Sequence, residues 1–530
     1  MNEPGTLLSC LERAASSRAE VRFLARSEER VVPYADVLER ARAVAGGLSR
    51  MGIEPGSRVA ISVPTGPEFY EAFFGVLAAG AVPLSLPLPP RFGSRLSFHE
   101  ELRSSVKAAG ARLVLTDSAG RVRAPDVAVA ALSELPCGEP PHLDEDPDEI
   151  ALVQLSSGTT GSPKAIPLTH RQLLANVRAI RDRVLECYPA EQYEHGGVSW
   201  LPLYHDMGLV GAVLTALVQP APLTLMRPED FVARPARWLQ AISRYRATIS
   251  AAPHFAYELA LERVRDDELE GLDLSSWLLA LDGAEPLNAS TLSRFYERFR
   301  AVGLRREALT PVYGLAEASL AVTFSAPDAP FASRSFDGAA LVEKEEAVES
   351  PNGVELVSSG RPLPGVEVAI AGEAGERLPP RRVGRILVRG PSVTSDGIDA
   401  EGFLDTGDRG FLVEEELYLC GRSRDLLILR GRNYPPEMIE EAVEGVSWVR
   451  AGAVAAVSFP GEGLCVIAER SPELAPEDEM RAIDAIRARA VERCGVDPVA
   501  VLVDSGSLPR TSSGKIRRRE AARLFAGARL

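Results

Sequence analysis

Helical and strand-like patterns alternate along residues 5–140, and this alternation restricts the fold more than any other feature of the sequence. Residues 37–51 and 67–79 have the apolar spacing of helices, whereas residues 58–63 and 113–115 are short apolar runs typical of buried strands. Strands that alternate with helices form parallel sheets, because each crossover helix packs back onto a face of the sheet. The sequence therefore predicts an α/β fold of helix-covered sheets.

The length of the chain predicts a second domain. At 530 residues it exceeds the size at which a single hydrophobic core stops growing. Two stretches, residues 325–355 and 417–423, are interpreted as connectors. We expect a large N-terminal domain over residues 1–420 and a small α+β domain over residues 421–530. For the small domain the patterns predict a helix from Pro436, strands at 453–457 and 463–468, and a helix from Glu477.

Charge and composition exclude several classes of protein. The net charge of −15 argues against nucleic acid as a principal partner and against adhesion to an anionic membrane. Glycines and prolines interrupt the most apolar stretch, residues 73–90, so no stable membrane insertion is expected. The six cysteines contain no CxxC pair, which signals neither a zinc site nor a redox pair. No signal peptide is recognised, and we expect a cytoplasmic protein with reduced thiols.

The strongest chemical signal is the stretch LSSGTTGSPK at residues 155–164. Glycine lets backbone N–H groups approach phosphate oxygens, the hydroxyls add donors, and Lys164 adds a positive charge. Ala165 after the lysine excludes a Walker loop. A flexible linker is disfavoured, because strand-like residues 150–155 precede the loop and a capping-box spacing at 169–172 predicts a helix start. The candidate phosphate-binding residues are Ser156, Ser157, Gly158, Thr159, Thr160 and Gly161.

Six further motifs follow this loop. They are WLPLYHDMG at 200–208, DGAEP at 282–286, YGLAE at 313–317, DTGD at 405–408, GRSRD at 421–425 and PRTSSGK at 509–515. In this order, over essentially the whole chain, they resemble the adenylate-forming superfamily of acyl-CoA synthetases, nonribosomal adenylation domains, luciferases and fatty acyl-AMP ligases. The resemblance implies that ATP activates a carboxylic acid as an acyl adenylate and that pyrophosphate is released. It also implies that the small C-terminal domain is mobile.

The resemblance assigns roles to individual residues. Tyr313 would offer a stacking face to adenine, and Asp408 would accept hydrogen bonds from both ribose hydroxyls. Glu317 would hold Mg²⁺ against the triphosphate. Lys515 would be the catalytic cation that offsets the charge built up as two anions meet. The remaining positions are Gly283, Ala284, Glu285, Pro286 and Gly314 around the adenine, Thr159 at the metal, Lys164 as a second catalytic cation, Arg422 at the nucleotide and Arg424 at the hinge.

Several details resemble the fatty acyl-AMP ligase branch more closely than the acyl-CoA synthetases. They include Ala316, GRNYP at residues 431–435, and a polar stretch near 331–355 that follows or overlaps the insertion expected in that branch. In this branch a fatty acyl group passes to the phosphopantetheine thiol of an acyl carrier protein. The implied acyl pocket comprises Trp200, His205, Asp206, Gly208, His254 and Phe255. The chain departs from the pattern in a short segment at 392–403 and in Pro436.

Three alternatives stay open at the level of sequence. An acyl-CoA synthetase would use the same residues for adenylation and CoA as the acceptor. An aryl or amino acid could replace the fatty acid, with Asp206 facing an amine, although the motif around Asp206 argues against this. A non-catalytic nucleotide- or acyl-binding protein would have lost the phosphate loop, the metal glutamate or the final lysine, and all three are present.

Carrier proteins are usually acidic, so the basic residues 515–519 are the expected docking patch.

Overall fold

The computed structural model describes residues 3–25, 28–89, 95–118, 122, 124, 126–156, 163–423, 425–429, 432–444, 446–459, 463–472, 474–510 and 516–526. Helices cover several sheets in these residues, which confirms the predicted α/β fold. For description, residues 1–420 are called the N-terminal region and residues 421–530 the C-terminal region.

The first part of the chain contributes two strands at one edge of a larger sheet and forms a small parallel sheet of its own. The elements of this part are α1 (Leu7–Ala15), β1 (Glu20–Leu24), β2 (Glu29–Pro33), α2 (Tyr34–Arg50), β3 (Arg58–Ser62), α3 (Pro67–Ala78), β4 (Val82–Ser85), α4 (Arg95–Ala109), β5 (Leu113–Thr116) and β6 (Ala128–Ala131). Strands β4, β3, β5 and β6 lie side by side in that order, all parallel. The helices predicted at 37–51 and 67–79 and the strands at 58–63 and 113–115 are confirmed.

A β-hairpin follows, formed by β7 (Ile150–Ser156) and β8 (Lys164–Thr169), and α5 (His170–Cys187) comes directly after it. The predicted capping box is present: the Thr169 hydroxyl accepts from the Gln172 backbone, and the Gln172 side chain accepts from the Thr169 backbone. The hairpin thus frames the candidate phosphate loop, and Ser156 and Lys164 are paired across its two strands. Residues 157–162 of the loop lie outside the described residues.

The second sheet has nine strands in the order β17-β14-β13-β12-β11-β9-β10-β1-β2. Its further elements are β9 (Gly197–Ser199), α6 (Thr215–Val218), β10 (Leu223–Met226), α7 (Pro228–Ala233), α8 (Ala236–Tyr245), β11 (Ile249–Pro253), α9 (His254–Arg263), β12 (Leu279–Gly283), α10 (Ala289–Phe299), β13 (Leu309–Gly314), β14 (Ala321–Phe324) and β17 (Arg361–Pro362). The six central strands from β13 to β1 are parallel, so their carboxyl ends meet at one edge.

Two antiparallel sheets complete the N-terminal region. They contain β15 (Ser333–Phe336), α11 (Gly338–Glu343), β16 (Val354–Val357), β18 (Glu367–Ala371), β19 (Gly384–Arg389), β20 (Leu404–Val413) and β21 (Glu416–Arg422). The interpretation of 325–355 and 417–423 as connectors is wrong. Phe336 is fully buried against Phe411 and Tyr418 and anchors the first stretch, and the second is the edge strand β21 of a four-stranded sheet.

The C-terminal region contains β22 (Leu427–Leu429), β23 (Arg432–Tyr434), α12 (Pro436–Glu444), β24 (Val449–Phe459), β25 (Gly463–Arg470), α13 (Glu479–Cys494), β26 (Val499–Val503) and α14 (Arg518–Ala521). This confirms the predicted helix from Pro436 and both predicted strands; the second helix begins two residues later than predicted. One apolar cluster joins the two regions, since Phe336 and Tyr418 pack in the same core as Ile439 and Ile486. None of the helices within the described ranges is long and apolar enough to cross a membrane.

Candidate active site

The candidate site lies where neighbouring parallel strands of the nine-stranded sheet end. Trp200 follows β9, His254 follows β11, and Ala284 follows β12. Pro253 at the end of β11 pairs in register with Gly283 at the end of β12. Ligands of open α/β sheets bind at this carboxyl edge, outside the ends of the strands. Motifs that lie far apart in sequence are therefore brought to one edge by the strand order.

The loop after β12 has a backbone that only particular residues can adopt. A Cβ at Gly283 would lie 2.6 Å from the carbonyl oxygen of Val312, so the close approach of β12 and β13 requires glycine. Ala284 has a φ of +67°, in the left-handed region that disfavours L-residues by about 1–2 kcal/mol. The Glu285 carboxylate accepts from the backbone N–H of Phe255 at 3.0 Å. Backbone strain of this kind is concentrated at binding sites, and residues 284–286 line the main cavity.

Tyr313, Asp408 and Arg422 form a polar group beside this loop. The Tyr313 hydroxyl donates to Asp408 Oδ2 at 2.7 Å, and Arg422 Nε donates to Asp408 Oδ1 at 3.2 Å. Asp408 and Arg422 face each other because they are register partners on β20 and β21. Burial and the neighbouring Asp408 carboxylate raise the pKa of Tyr313 far above its ordinary value, so the phenol stays protonated. In this state both Asp408 oxygens are engaged, and bound ribose would compete for them.

The turn after β13 presents Glu317. A Cβ at Gly314 would lie 1.9 Å from the Leu320 carbonyl oxygen, so this sharp turn also requires glycine. The Glu317 carbonyl accepts from the Thr394 N–H at 2.7 Å, which fixes the backbone. Within the described ranges no donor or cation reaches the Glu317 carboxylate. A half-buried carboxylate with no partner among the described residues fits a hard cation such as Mg²⁺.

A cavity of about 680 Å³ connects the polar group of Tyr313, Asp408 and Arg422 with the C-terminal region. Tyr313, Asp408 and Phe255 line it from the N-terminal region, and Arg510 and Ile516 line it from the C-terminal region. Lys515 and Arg424 lie outside the described residues, as does Thr159 in the phosphate loop. Lys164 is exposed at the start of β8.

The predicted acyl-pocket residues divide into two groups. Trp200 stacks on Phe231 with ring centroids 3.8 Å apart, and the Phe255 ring lies 6.0 Å from Trp200 in an edge-to-face arrangement. These three side chains form an aromatic cluster. His254 instead contacts Asp282. His254 and Phe255, although adjacent in sequence, therefore belong to different parts of the site.

The other predicted pocket residues shape the backbone after β9. The Asp206 side chain accepts from the Met207 N–H at 2.8 Å at the start of the π-helix Met207–Leu214. A Cβ at Gly208 would lie 2.3 Å from the Pro202 carbonyl oxygen, which explains the glycine. The His205 ring packs on Tyr204 with centroids 4.7 Å apart.

His254 and Asp282 form a buried pair, with Nδ1 and Oδ2 2.7 Å apart. Burial of the ring opposes protonation, but Asp282 outweighs it and raises the pKa of His254 to about 9. The backbone N–H of Asn288 donates to His254 Nε2 at 3.3 Å, and this contact opposes the second ring proton that the raised pKa favours. We assign the shared proton to Nδ1, because the Asn288 N–H occupies the position that a proton on Nε2 would need.

Comparison with known proteins identifies the family. Residues 11–396, well over half of the chain, match the family of AMP-binding enzymes. The chain belongs to this family.

Similar proteins agree with this assignment. The chain is 34% identical to a medium-chain-fatty-acid–[acyl-carrier-protein] ligase of Moorena producens, over 98% of this chain and 95% of that protein. It is 34% identical to a 4-hydroxyphenylalkanoate adenylyltransferase of Mycobacterium marinum, over 92% of this chain and 85% of that protein. A solved structure from studies of fatty acyl-adenylate ligases from E. coli and L. pneumophila is 35% identical, with a TM-score of 0.90. That similarity covers 98% of this chain and 97% of the other.

As a member of this family, the chain is a ligase that uses ATP to convert a carboxylic acid into an acyl adenylate. Three polar residues that line the cavity of this AMP-binding enzyme were not predicted as site residues from the sequence: Glu258, Asn288 and Glu444. Asn288 and Glu444 belong to no motif, whereas Glu258 ends the stretch APHFAYE at residues 252–258. Its position four residues after His254, on the same face of α9, is a second signal.

Arg518 of the AMP-binding enzyme is partly buried, with 24% of its side chain exposed. Its guanidinium contacts Glu440 at 2.7 Å and Glu437 at 2.8 Å on α12. Although burial opposes the charge, these carboxylates raise the pKa of Arg518 further above its ordinary value. Arg517, Arg519 and Arg523 are exposed, and they are the described members of the basic C-terminal segment that remain available to a partner.

Proposed function

We propose that this enzyme activates a fatty acid and passes the acyl group to the phosphopantetheine thiol of an acyl carrier protein. The observation that carries the proposal is one cavity that Phe255 of the aromatic cluster shares with Tyr313 and Asp408. An aromatic surface suits an alkyl chain, and the polar group beside it suits a nucleotide. The Moorena relative, named for a medium-chain fatty acid and a carrier protein, supports this substrate and acceptor.

In the first proposed step a carboxylate oxygen attacks the α-phosphorus of ATP, and the bond from that phosphorus to pyrophosphate breaks. Lys164 and Lys515 offset the negative charge of this transition state. Mg²⁺ held by Glu317 and Thr159 would neutralise part of the triphosphate charge. In the second step the thiol sulfur attacks the acyl carbonyl carbon, the thiol proton is lost to solvent, and AMP leaves.

We also propose that the domains are residues 1–420 and 421–530, with Arg424 as the hinge. Polar contacts across the boundary support a separable C-terminal unit: Glu262 with Arg450 at 2.9 Å and Asn288 with Glu444 at 2.7 Å. The apolar cluster around Phe336 would have to open if the unit rotated. A Cβ at Gly338 would lie 2.5 Å from the Arg493 carbonyl oxygen, so the stretch near 331–355 packs tightly on the C-terminal region.

The test is ATP–pyrophosphate exchange with acids of increasing chain length, followed by acyl transfer to CoA and to a carrier thiol with the best acid. A maximum with a fatty acid and transfer to the carrier alone would support the proposal. Rapid acyl-CoA formation would instead assign an acyl-CoA synthetase, and a maximum with an aryl acid would reassign the pocket. Absence of exchange with every acid would favour a non-catalytic protein.

A matched pair of lysine variants separates catalysis from general charge effects. Lys515→Ala should lower the exchange rate by about 100-fold or more, because a group that stabilises transition-state charge is removed. Lys107→Ala removes an exposed lysine of α4 and should leave the rate unchanged. Equal rates in both variants would contradict the proposed role of Lys515.

A further inference from the structure

Asn288 connects three parts of the molecule. It follows the loop 284–287 that lines the cavity, and its Oδ1 caps α10 by accepting from the Thr291 N–H at 3.1 Å. Its backbone N–H donates to His254 Nε2 at 3.3 Å. Its Nδ2 donates to Glu444 Oε2 at 2.7 Å, across to the C-terminal region. Because the Thr291 N–H must meet an oxygen, the orientation of the Asn288 amide is fixed and its N–H₂ faces Glu444.

Glu444 carries this contact into the C-terminal region. It is the last residue of α12, and its other oxygen, Oε1, accepts from the Gly452 N–H at 3.2 Å. Gly452 has a φ of +65°, and a Cβ there would lie 1.8 Å from Oε2 of Glu258 in α9. The irregular part of β24 at Gly452 is therefore held between two carboxylates, one from each region.

Gly452 is also hydrogen-bonded to a residue that lines the cavity. The Gly452 carbonyl accepts from Arg510 Nη2 at 2.6 Å, and Arg510 pairs with Ile516 in an antiparallel bridge. Arg510 and Ile516 flank residues 511–515 and line the cavity that holds Tyr313 and Asp408. A continuous series of hydrogen bonds thus runs from the nucleotide loop through Asn288, Glu444 and Gly452 to Arg510.

A second polar contact between the regions differs in character. Arg450 makes a bidentate contact with Glu262 at the rim, with N–O distances of 2.9 and 3.0 Å, and both side chains are partly exposed. A partly exposed ion pair of this kind contributes little. The other hydrogen bonds of Arg450 lead through Glu469 to Leu508 and not to Asn288. The pair of Arg450 and Glu262 provides a control for the path through Asn288.

We propose that Asn288 is a positioning residue for adenylation, which sets the C-terminal region against the loop 284–287 and so holds Arg510 and Ile516 at the cavity. The inference rests on the proposed function, in which Lys515 acts on the nucleotide. Asn288 acts through Glu444 and Gly452 and need not touch the substrate.

Asn288→Ser tests the amide alone. Serine retains the helix cap and the backbone contact to His254 but lacks the amide N–H₂ that donates to Glu444. We expect kcat for ATP–pyrophosphate exchange to fall about tenfold, with a change in the KM for ATP below about threefold. The melting temperature should stay within about 2 °C of the parent enzyme. Glu262→Gln at the rim should leave all three quantities unchanged.

Reversal of the hydrogen bond provides the rescue. Asn288→Asp retains the cap but places an acceptor against Glu444, whereas Glu444→Gln places a donor against the Asn288 amide. Each single variant should lower kcat, and the double variant should recover most of it, because the amide at 444 then donates to the carboxylate at 288. The assay is run at pH 9, because burial and Glu258 raise the pKa of Glu444 to about 8.

The outcomes separate the two proposals. If the parent enzyme catalyses exchange and kcat is unaffected in Asn288→Ser, the positioning role is overturned and the proposed function stands. Additive losses in the double variant, or losses that follow the melting temperature, would also overturn it. Absence of exchange in the parent enzyme would contradict the proposed function itself.

Discussion

Two sides of the cavity use polar residues in opposite ways: the nucleotide side around Asp408, where we propose that ATP binds, and the contact side, where the two regions meet. On the nucleotide side, Asp408 meets Arg422, whose side chain is 61% exposed, and a ligand can compete for both groups. On the contact side, Asp282 is fully buried against His254, and Glu444 is paired by Asn288 from the other region. Accessible pairs can exchange partners with a ligand at little cost, whereas buried pairs become strongly unfavourable when one partner is lost. Loss of a partner should therefore reduce activity at Asp408 and stability at Asp282. Asn288→Ser should affect activity more than stability, because Glu444 keeps its contact with the Gly452 N–H.

The largest effect is expected at the buried pair. Asp282→Asn retains the shape of the side chain but removes the charge that faces His254. Loss of one member of a buried pair typically destabilises a protein by about 3–5 kcal/mol, and chemical denaturation measures this. Adding His254→Gln should recover part of the loss, because no unpaired ionisable group then remains. An unchanged free energy of unfolding in Asp282→Asn would contradict the division into two sides.

On the nucleotide side the expected loss is in activity. Asp408→Ala removes two charge-assisted acceptors and should lower ATP–pyrophosphate exchange by about 100-fold, with little change in melting temperature. Tyr313→Phe removes only the hydroxyl that donates to Asp408 and should cost less than about tenfold. If both variants lost equal activity, Asp408 would serve to orient Tyr313 and not to bind the nucleotide.

What could be predicted from the sequence depends on whether the partners of a residue are close to it or distant along the chain. Local signals were sufficient where neighbouring residues determine the structure, as with Thr169 and Gln172 at the start of α5 or the apolar run of β3. The motifs around Tyr313 and Asp408 were recognised as a resemblance, and the sheet order brings them together.

The remaining features depend on partners that are distant in sequence. Phe336 is an isolated aromatic residue in a polar stretch, and it is Phe411 and Tyr418 that make it a core residue. Glu444 lies 156 residues from Asn288, so no local pattern reveals that it is buried and paired. The prediction that Arg518 belongs to the docking patch failed for the same reason. Its partners on α12 lie about 80 residues earlier, so the local sequence does not reveal them.

The pH dependence of stability should come from the contact side. Burial, opposed by Arg493 at 3.6 Å, raises the pKa of Glu441 to about 7 from an ordinary value of 4.5. The folded protein therefore retains this proton at a pH where the unfolded chain has lost it. Its stabilising effect is complete below about pH 4.5 and is lost as the pH rises through 7. Burial raises the pKa of Glu437 and Glu444 in the same direction.

Thermal unfolding between pH 5 and pH 8.5 measures this effect. The melting temperature of the parent enzyme should fall with pH, and Glu441→Gln should flatten the curve, because its amide does not titrate. At pH 8.5 the free energy of unfolding of the two proteins should differ by about 1–2 kcal/mol. This is less than the full pKa shift of Glu441 implies, since its side chain keeps some exposure. Parallel curves for the two proteins would show that Glu441 is already ionised in the folded state.

The smallest expected effect concerns the surface of the C-terminal region. The net charge of −15 would repel an acidic carrier, so the exposed Arg517 and Arg519 should provide local attraction. Arg517→Glu should slow carrier loading severalfold at low salt, less at high salt, and leave ATP–pyrophosphate exchange unchanged. Arg518→Glu is the matched contrast, because it places a third carboxylate beside Glu437 and Glu440 and should unfold the protein at lower temperature. If Arg517→Glu instead behaved like Arg518→Glu, its role would be structural; unchanged loading would place the carrier elsewhere.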